Sequence, residues 1–366
     1  MALETVFKSE ALADMAGKVE AGERLSREDG IRLFESDDLL LVGRLADIAN
    51  RRKNGKKVYF IQNRHINYSN VCKNRCRFCA FSRSEGQDGA YTMSLEQVFS
   101  DAANTYTDRV SEFHIVGGLH PSLPFDYYLD MMRGLKSRWP EVIIQGFTAV
   151  EIAHFADISG LGLDSTIRAL MEAGLDSMPG GGAEVFEPSI REKLCPEKLS
   201  GQAWLEVHEA AHRQGMKTNA TMLYGHIESH ADRVDHFMKL RELQDRTNGF
   251  LAFIPLAFHP RNTDLPEGAF TTGFDDLKVL AVARLMLDNF DHIKAFWIMI
   301  GPKMAQVSLS FGVDDIDGTV VEERITHAAG AETAQGMTLA ELLKMIRTAG
   351  KTPVERDTLY KVVQEY

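Results

Sequence analysis

Three cysteines on one short loop, Cys72, Cys76 and Cys79, are the residues of this chain best placed to do chemistry. Their CxxxCxxC spacing gathers three thiolates and leaves a fourth tetrahedral direction with no ligand from the loop. A structural zinc site wants a fourth protein ligand. A [4Fe–4S] cube is also held by cysteine thiolates, normally four of them. Three on one loop therefore point to a cube with one iron open to a further ligand. Phe78, beside the last cysteine, would shield such a cluster from water. The one cysteine elsewhere, Cys195, is followed by Pro196 and reads as a packed thiol.

Other candidates fall just after apolar runs. Gly117-Gly118 permits positive φ and close approach of backbone to a ligand. Gly180-Gly181-Gly182 precedes Glu184, a carboxylate able to accept two hydrogen bonds from a cis-diol. In the run Thr218 to Glu228, Asn219, Thr221 and Leu223 share one face of a strand and Ala220 and Met222 the other. Asn and Thr facing a barrel interior are costly unless they bond a ligand or each other, so this face reads as ligand-lining. His259, Arg261 and Asn262, with Thr263, form a hydrogen-bonding rim suited to a carboxylated or phosphorylated small molecule.

Two further patterns fail on their spacing. His208-Glu209-Ala210-Ala211-His212 matches the HExxH zinc motif, but Thr218 stands at the third-ligand position of its extended form, and Gly215 serves as a helix C-cap. Asp314-Asp315-Ile316-Asp317-Gly318 hints at a calcium loop, yet Val313 holds its first ligand position and Arg324 the place of the bidentate Glu.

What positions these residues is an alternation of strand and helix. From Val58 to Gly318 close to eight βα units can be counted, which predicts a parallel sheet closed as a (β/α)8 TIM-type barrel; six units in an open partial barrel are the alternative. Barrel chemistry sits at the C-terminal ends of strands, where the cysteine loop and the glycine runs fall. Val58–Ile61 is read as the strand feeding the cysteine loop and Ile293–Ile300 as a later strand. Ser94-x-x-Gln97 is a capping box for a helix running to about Tyr106. Residues 1–57 read as an N-terminal helical cap, 58–318 as the barrel and 319–366 as a C-terminal helical extension.

With 366 residues, 44% hydrophobic and 25% charged, the chain has ample material for a core. A net charge of −11 with no Lys/Arg stripe argues against a nucleic-acid partner. No apolar run approaches the length needed to cross a bilayer, and Met1–Lys18 carries no apolar leader. Thiolates that must stay reduced fit a cytoplasmic setting.

The cysteine spacing resembles that of the radical S-adenosylmethionine (SAM) superfamily, whose open iron chelates the amino and carboxylate groups of SAM. His65–Cys72 with Cys79-Ala80-Phe81, and Asn219–Glu228, are similar to a group within it that makes menaquinone by the futalosine route or the deazaflavin of a redox coenzyme. Within that group Gly180–Glu184, Ile254–Pro260 and Asp314–Thr319 most resemble the aminofutalosine synthases. The dehypoxanthine futalosine cyclases and the deazaflavin side-ring synthases share the first motifs. The likeness runs from about Val58 to Gly330. It departs after Gly118, where the superfamily often has an acidic residue and this chain has Leu119-His120.

The resemblance implies that the reduced cluster passes one electron to the SAM sulfonium, releasing methionine and a 5′-deoxyadenosyl radical. That radical adds to the vinyl carbon of 3-[(1-carboxyvinyl)oxy]benzoate. Rearrangement and loss of bicarbonate then give 6-amino-6-deoxyfutalosine, with SAM consumed. By the same resemblance Phe78, Gly117, Gly118 and Glu184 contact SAM, Glu184 at the ribose. Asn219, Thr221, His259, Arg261 and Asn262 bind the acidic aromatic enol ether, with Thr221, Tyr224 and His259 nearest the reaction. A low-potential electron donor such as flavodoxin or ferredoxin is implied as a partner.

Overall fold

Among the described residues eleven strands, most of them separated by helices, sort into two sheets. In chain order they are β1 (Lys57–Ile61), β2 (Asn63–Ile66), β3 (Glu112–Ile115), β4 (Ile143–Gly146), β5 (Ser177–Met178), β6 (Lys217–Tyr224), β7 (Phe250–Ala257), β8 (His292–Ile293), β9 (Asp315–Gly318), β10 (Thr352–Arg356) and β11 (Val362–Glu365). This computed structural model describes residues 12–104, 107, 109–265 and 270–366. The expected helix end at Tyr106 and the first eleven residues of the expected helical cap lie outside them.

β2 to β8 form one sheet of seven strands in sequence order, every pairing parallel. Parallel strands need crossover connections, and helices supply them. Those helices start where their sequences provide caps. Ser94 Oγ accepts from Gln97 N while Gln97 returns a bond to Ser94 N. Thr148 with Glu151 and Ser229 with Asp232 form capping boxes of the same kind. Because helices cover the outside and side chains fill the inside, β6 is buried along nearly its whole length.

The α/β barrel is present, though its wall differs from eight equal units. Seven strands curl into a half-barrel. The segment 315–321 then bridges the gap through single pairings, Lys294 with Asp315 on one side and Val321 with Arg64 on the other. The first barrel strand is β2, Asn63–Ile66, and not the more apolar Val58–Ile61. β2 is hidden from a hydrophobicity reading because its residues serve buried polar contacts. Arg64, 1% exposed, faces Asp101 and Glu322 at 3.2 and 3.4 Å, and His65 faces the barrel cavity.

β1 belongs instead to a second sheet of order β11-β10-β1-β9. Residues after 318 are thus part helix (Ile325–Ala328, Leu339–Thr348) and part strand, which revises the expected all-helical extension. β10 lies parallel to β1 and turns back antiparallel as β11. Ile293–Ile300 divides into β8 and a short helix, Trp297–Ile300, whose Trp297 Nε1 donates to Gly318 O at 2.9 Å. A short apolar run does not by itself separate strand from buried helix.

Buried polar contacts anchor the start of β9. Asp314 is bound by Arg284 and by His292 Nδ1, the latter at 2.6 Å. Asp315 is bound by Arg356 Nε at 2.7 Å and by Tyr360 at 2.8 Å. The Asp314–Gly318 run is therefore an ionic seam of the fold and not a calcium loop. Residues 13–54 form three helices, of which Leu39–Asn54 packs along Gly273–Met286 on the barrel exterior.

Candidate active site

Backbone bonds to distant segments hold the cysteine loop. Lys73 N donates to Leu119 O and Arg77 N to Leu194 O, both at 2.9 Å, while Cys79 N closes a turn on Cys76 O at 3.0 Å. The thiols of Cys72, Cys76 and Cys79 are half-buried and line a cavity of about 340 Å³ that enters the barrel. Burial pushes the Cys72 thiol up. A hydrogen-bond contact with Cys195, and then burial, push Cys76 up too. A bound metal ion would stabilise the thiolate form of such thiols and release their protons. Cys195, only 2% exposed, is a packed thiol against a loop cysteine.

The rim around the loop is made of backbone. A Cβ on Gly118 would stand 2.2 Å from Val71 O, so only glycine lets β3 end this close to the cysteine loop. A Cβ on Gly180 would meet the backbone of Ala220 at 2.7 Å. Glu151, 1% exposed, accepts from Gly117 N at 3.0 Å and from Tyr68 Oη at 2.8 Å, and burial raises its carboxyl. Glu184 adopts φ 49°, lines the cavity and is paired with Lys198 Nζ at 2.5 Å. Burial opposes the charge on Lys198, but the Glu184 carboxylate beside it keeps it protonated. Its ammonium lies 5.1 Å from the centre of the Phe78 ring.

Deeper in, a polar layer crosses the barrel. Register places His65 beside His114, His114 beside Gln145, and Gln145 beside Ser177. The rings of His65 and His114 stack at 4.5 Å. Glu112 faces His114 Nδ1 at 3.4 Å and accepts from Thr358 Oγ1 at 2.8 Å. Burial alone would raise the Glu112 carboxyl, yet His114, Lys294 and Arg356 bring it down to about 2. Lys294 Nζ stands 3.4 Å from Asp317.

Of the residues chosen from sequence, Cys72, Cys76, Cys79, Phe78, Gly117, Gly118, Glu184, Asn219, Thr221 and His259 all line this cavity. Three others are elsewhere. Tyr224 is fully buried and donates to Asp276 at 2.7 Å, outside the cavity lining. Arg261 points outward to Glu332 at 2.5 Å with 66% of its side chain exposed. Asn262, also exposed, donates to Ala328 O at 3.0 Å. A strand-end loop is on the correct face of a barrel, but only its tertiary course decides which side chains turn inward. The HExxH pair is structural: His208 Nδ1 and His212 Nε2 both bond Thr218 Oγ1, at 2.9 and 2.8 Å.

Lys198, Lys294, His65, His114, Glu112, Gln145 and Glu151 line the cavity without having been singled out for a role there. Apart from Glu112 and His114, two apart on β3, they come from separate elements, so little local spacing marks them. The polar character of Asn63–His65 inside a buried strand is the one local signal for His65.

The donor set and its cradle suit a [4Fe–4S] cluster: three soft thiols on one loop, with a rim that only glycine allows to close up. Residues 66–240 match the model of the radical SAM superfamily, and residues 247–365 match the CofH/MqnC C-terminal region. The chain is 48% identical over 357 residues to the aminodeoxyfutalosine synthase of Thermus thermophilus, covering 96% of each. It is 40% identical to the 5-amino-6-(D-ribitylamino)uracil–L-tyrosine 4-hydroxyphenyl transferase of Methanopyrus kandleri, covering 96% of this chain and 95% of that one. In fold it is similar to the FeFe-hydrogenase maturase HydG from Carboxydothermus hydrogenoformans, with a TM-score of 0.75 at 16% identity over 96% of this chain and 81% of the other.

Proposed function

We infer, for a chain that belongs to the radical SAM superfamily and works with a [4Fe–4S] cluster and SAM, that its reaction is that of an aminodeoxyfutalosine synthase in menaquinone biosynthesis. Cluster and SAM, when bound, would supply an adenosyl radical for addition to the vinyl carbon of 3-[(1-carboxyvinyl)oxy]benzoate, and the product is completed by rearrangement and loss of a carboxyl group that takes up water to leave as bicarbonate.

The chain's own residues place and protect that chemistry. Cys72, Cys76 and Cys79 would hold three irons and leave the fourth for SAM. The main chain at Gly117 and Gly118 would run along the methionine moiety, and Glu184, steadied by Lys198, would accept from the ribose hydroxyls. Phe78, Leu119, Val150, Leu223, Leu256 and Phe258 give the cavity apolar walls that keep water and stray hydrogen donors from a reactive centre. Thr221 and His259 face the same space, with their protons tied to the carbonyls of Gly180 and Met299. These bonds hold the two side chains in place, so they act in positioning. The reading places the protein in the cytoplasm beside a low-potential donor of the flavodoxin or ferredoxin type; among the described residues no helix is long and apolar enough to cross a membrane.

The observation that carries this reading is the likeness to the aminodeoxyfutalosine synthase along nearly the whole chain, higher than to the hydroxyphenyl transferase. The test is a product assay. Anaerobically reconstituted, reduced protein given SAM and 3-[(1-carboxyvinyl)oxy]benzoate is expected to release an adenosyl–benzoate adduct detectable by mass spectrometry. Cleavage of SAM with no adduct would overturn the assignment within the superfamily.

A further inference from the structure

The proposed substrate carries two carboxylates, and a carboxylate taken out of water needs hydrogen-bond donors. Most donors near the cavity are already engaged or turned away. Thr221 Oγ1 donates to Gly180 O at 2.6 Å, and His259 Nε2 donates to Met299 O at 2.9 Å, because a carbonyl only accepts. Arg261 is outside the cavity, and Lys198 is held by Glu184 at 2.5 Å.

Asn219 is turned the wrong way, and its orientation is set by a chain of bonds. Ser177 Oγ gives its single proton to Lys217 O at 2.8 Å, so it accepts from Gln145 Nε2 at 3.1 Å. Gln145 therefore presents Oε1 to Asn219 Nδ2, 3.3 Å away. Asn219 spends one of its two amide protons on that bond, and beside the other it keeps a buried, unpartnered Oδ1, an acceptor that repels a carboxylate.

Besides the one amide proton left on each of Gln145 and Asn219, two side chains of the polar layer stand out, a cation and an imidazole with an open nitrogen. Lys294 is 6% exposed and lines the cavity; its ammonium carries three protons and has Asp317, at 3.4 Å, as its one ion-pair partner among the described residues. His65 is 7% exposed, and its buried Nε2 has no partner. The carboxylates nearby are engaged, Glu112 by Thr358 and His114, and Asp317 also by Asn63 Nδ2 at 3.4 Å.

We propose that Lys294, assisted by His65, is the seat of the ring carboxylate of the aromatic ether. The inference rests on the reaction proposed above and names the residues that select its substrate. The vinyl carbon has to lie at the mouth beside the thiols, and the ring carboxylate is the far end of the same molecule. Held there, the ether spans the cavity with its reacting carbon toward the cluster loop. Lys294 and His65 are positioning residues in this arrangement.

Calorimetric binding to cluster-loaded, unreduced protein with SAM tests it independently of turnover. Two ligands are compared, 3-[(1-carboxyvinyl)oxy]benzoate and the phenyl ether that lacks the ring carboxylate. Wild type is expected to prefer the first by about 10- to 100-fold, the range of a hydrogen bond to a charged group. Lys294→Met lowers that preference to about 2-fold or less, and Lys294→Arg, keeping the charge, recovers part of it. His65→Phe, which keeps a ring beside His114 and removes the donor, lowers it several-fold and serves alone if Lys294→Met does not fold. A Lys294→Met or His65→Phe protein with the full preference overturns the seat. Wild type that binds both ethers alike overturns the seat and leaves the reaction standing; wild type that binds neither overturns both.

Discussion

The mouth and the floor of the barrel cavity are built on opposite plans. At the mouth, thiols from a single loop meet glycines whose missing side chains let backbone segments touch, and Lys198, which lines the cavity there, is already paired with Glu184. At the floor, side chains from β2, β3, β4, β6 and the residue after β8 form a buried polar layer. Behind that layer the C-terminal strands carry their own ion pair, Arg356 with Asp315. A cofactor that brings its own charge and chemistry needs open space and close backbone. A substrate that must be chosen and aimed needs fixed charges that do not relax. Activity should therefore be the first thing lost on damage at the mouth, and stability the first thing lost on damage behind the floor.

The largest effect expected is Arg356→Met. It leaves Asp315 buried with a missing partner, and breaking such a pair costs about 3–5 kcal/mol. Denaturant unfolding should show the loss; a change under about 1 kcal/mol would mean that Tyr360 and the Asp317 N–H suffice for Asp315. Next is Gly118→Ala. Its Cβ would clash with Val71 O and displace the cysteine loop, and a displacement near 1 Å typically costs about 100-fold in rate. The expected signature is lost product formation and lower iron content with a nearly unchanged melting temperature. A variant that unfolds instead would erase the contrast between the two ends.

The smallest effect is in pH, on the wall that backs the cavity. Burial lowers the His212 ring to about 4 and the His236 ring to about 3, so both are neutral in the fold. Unfolding releases them to about 6.5, and the unfolded chain then binds more protons. Their contribution is present above that value and is lost as pH falls from about 6.5 toward 4, on the order of 1–3 kcal/mol. Replacing His212 by Gln should flatten this part of the stability profile; an unchanged slope would show that other groups carry it.

How much of this was legible follows from distance along the chain. The cysteine loop, the glycine rim, Glu184 and the inward face of Asn219 and Thr221 are local patterns, each readable within about ten residues. Arg261 and Asn262 were read from the same kind of local evidence and turned outward, because a loop's position on the barrel face does not fix the direction of its side chains. β2 is less legible than Val58–Ile61 because its polar residues are buried by contacts with segments distant in sequence.

By itself, then, the sequence determined the cluster loop and the alternation that makes a parallel barrel, since spacing and periodicity are local and survive without knowledge of the fold. The tertiary structure alone decided the floor. Lys294, His65, Glu112 and Gln145 acquire a meaning only when strands separated by dozens of residues come into register and exclude water around them. It also decided the seam, where 315–321 bridges the half-barrel and β10 pairs with β1 across most of the chain. Buried charge is stabilised by partners and not by neighbours in sequence, so its pattern is written in the fold.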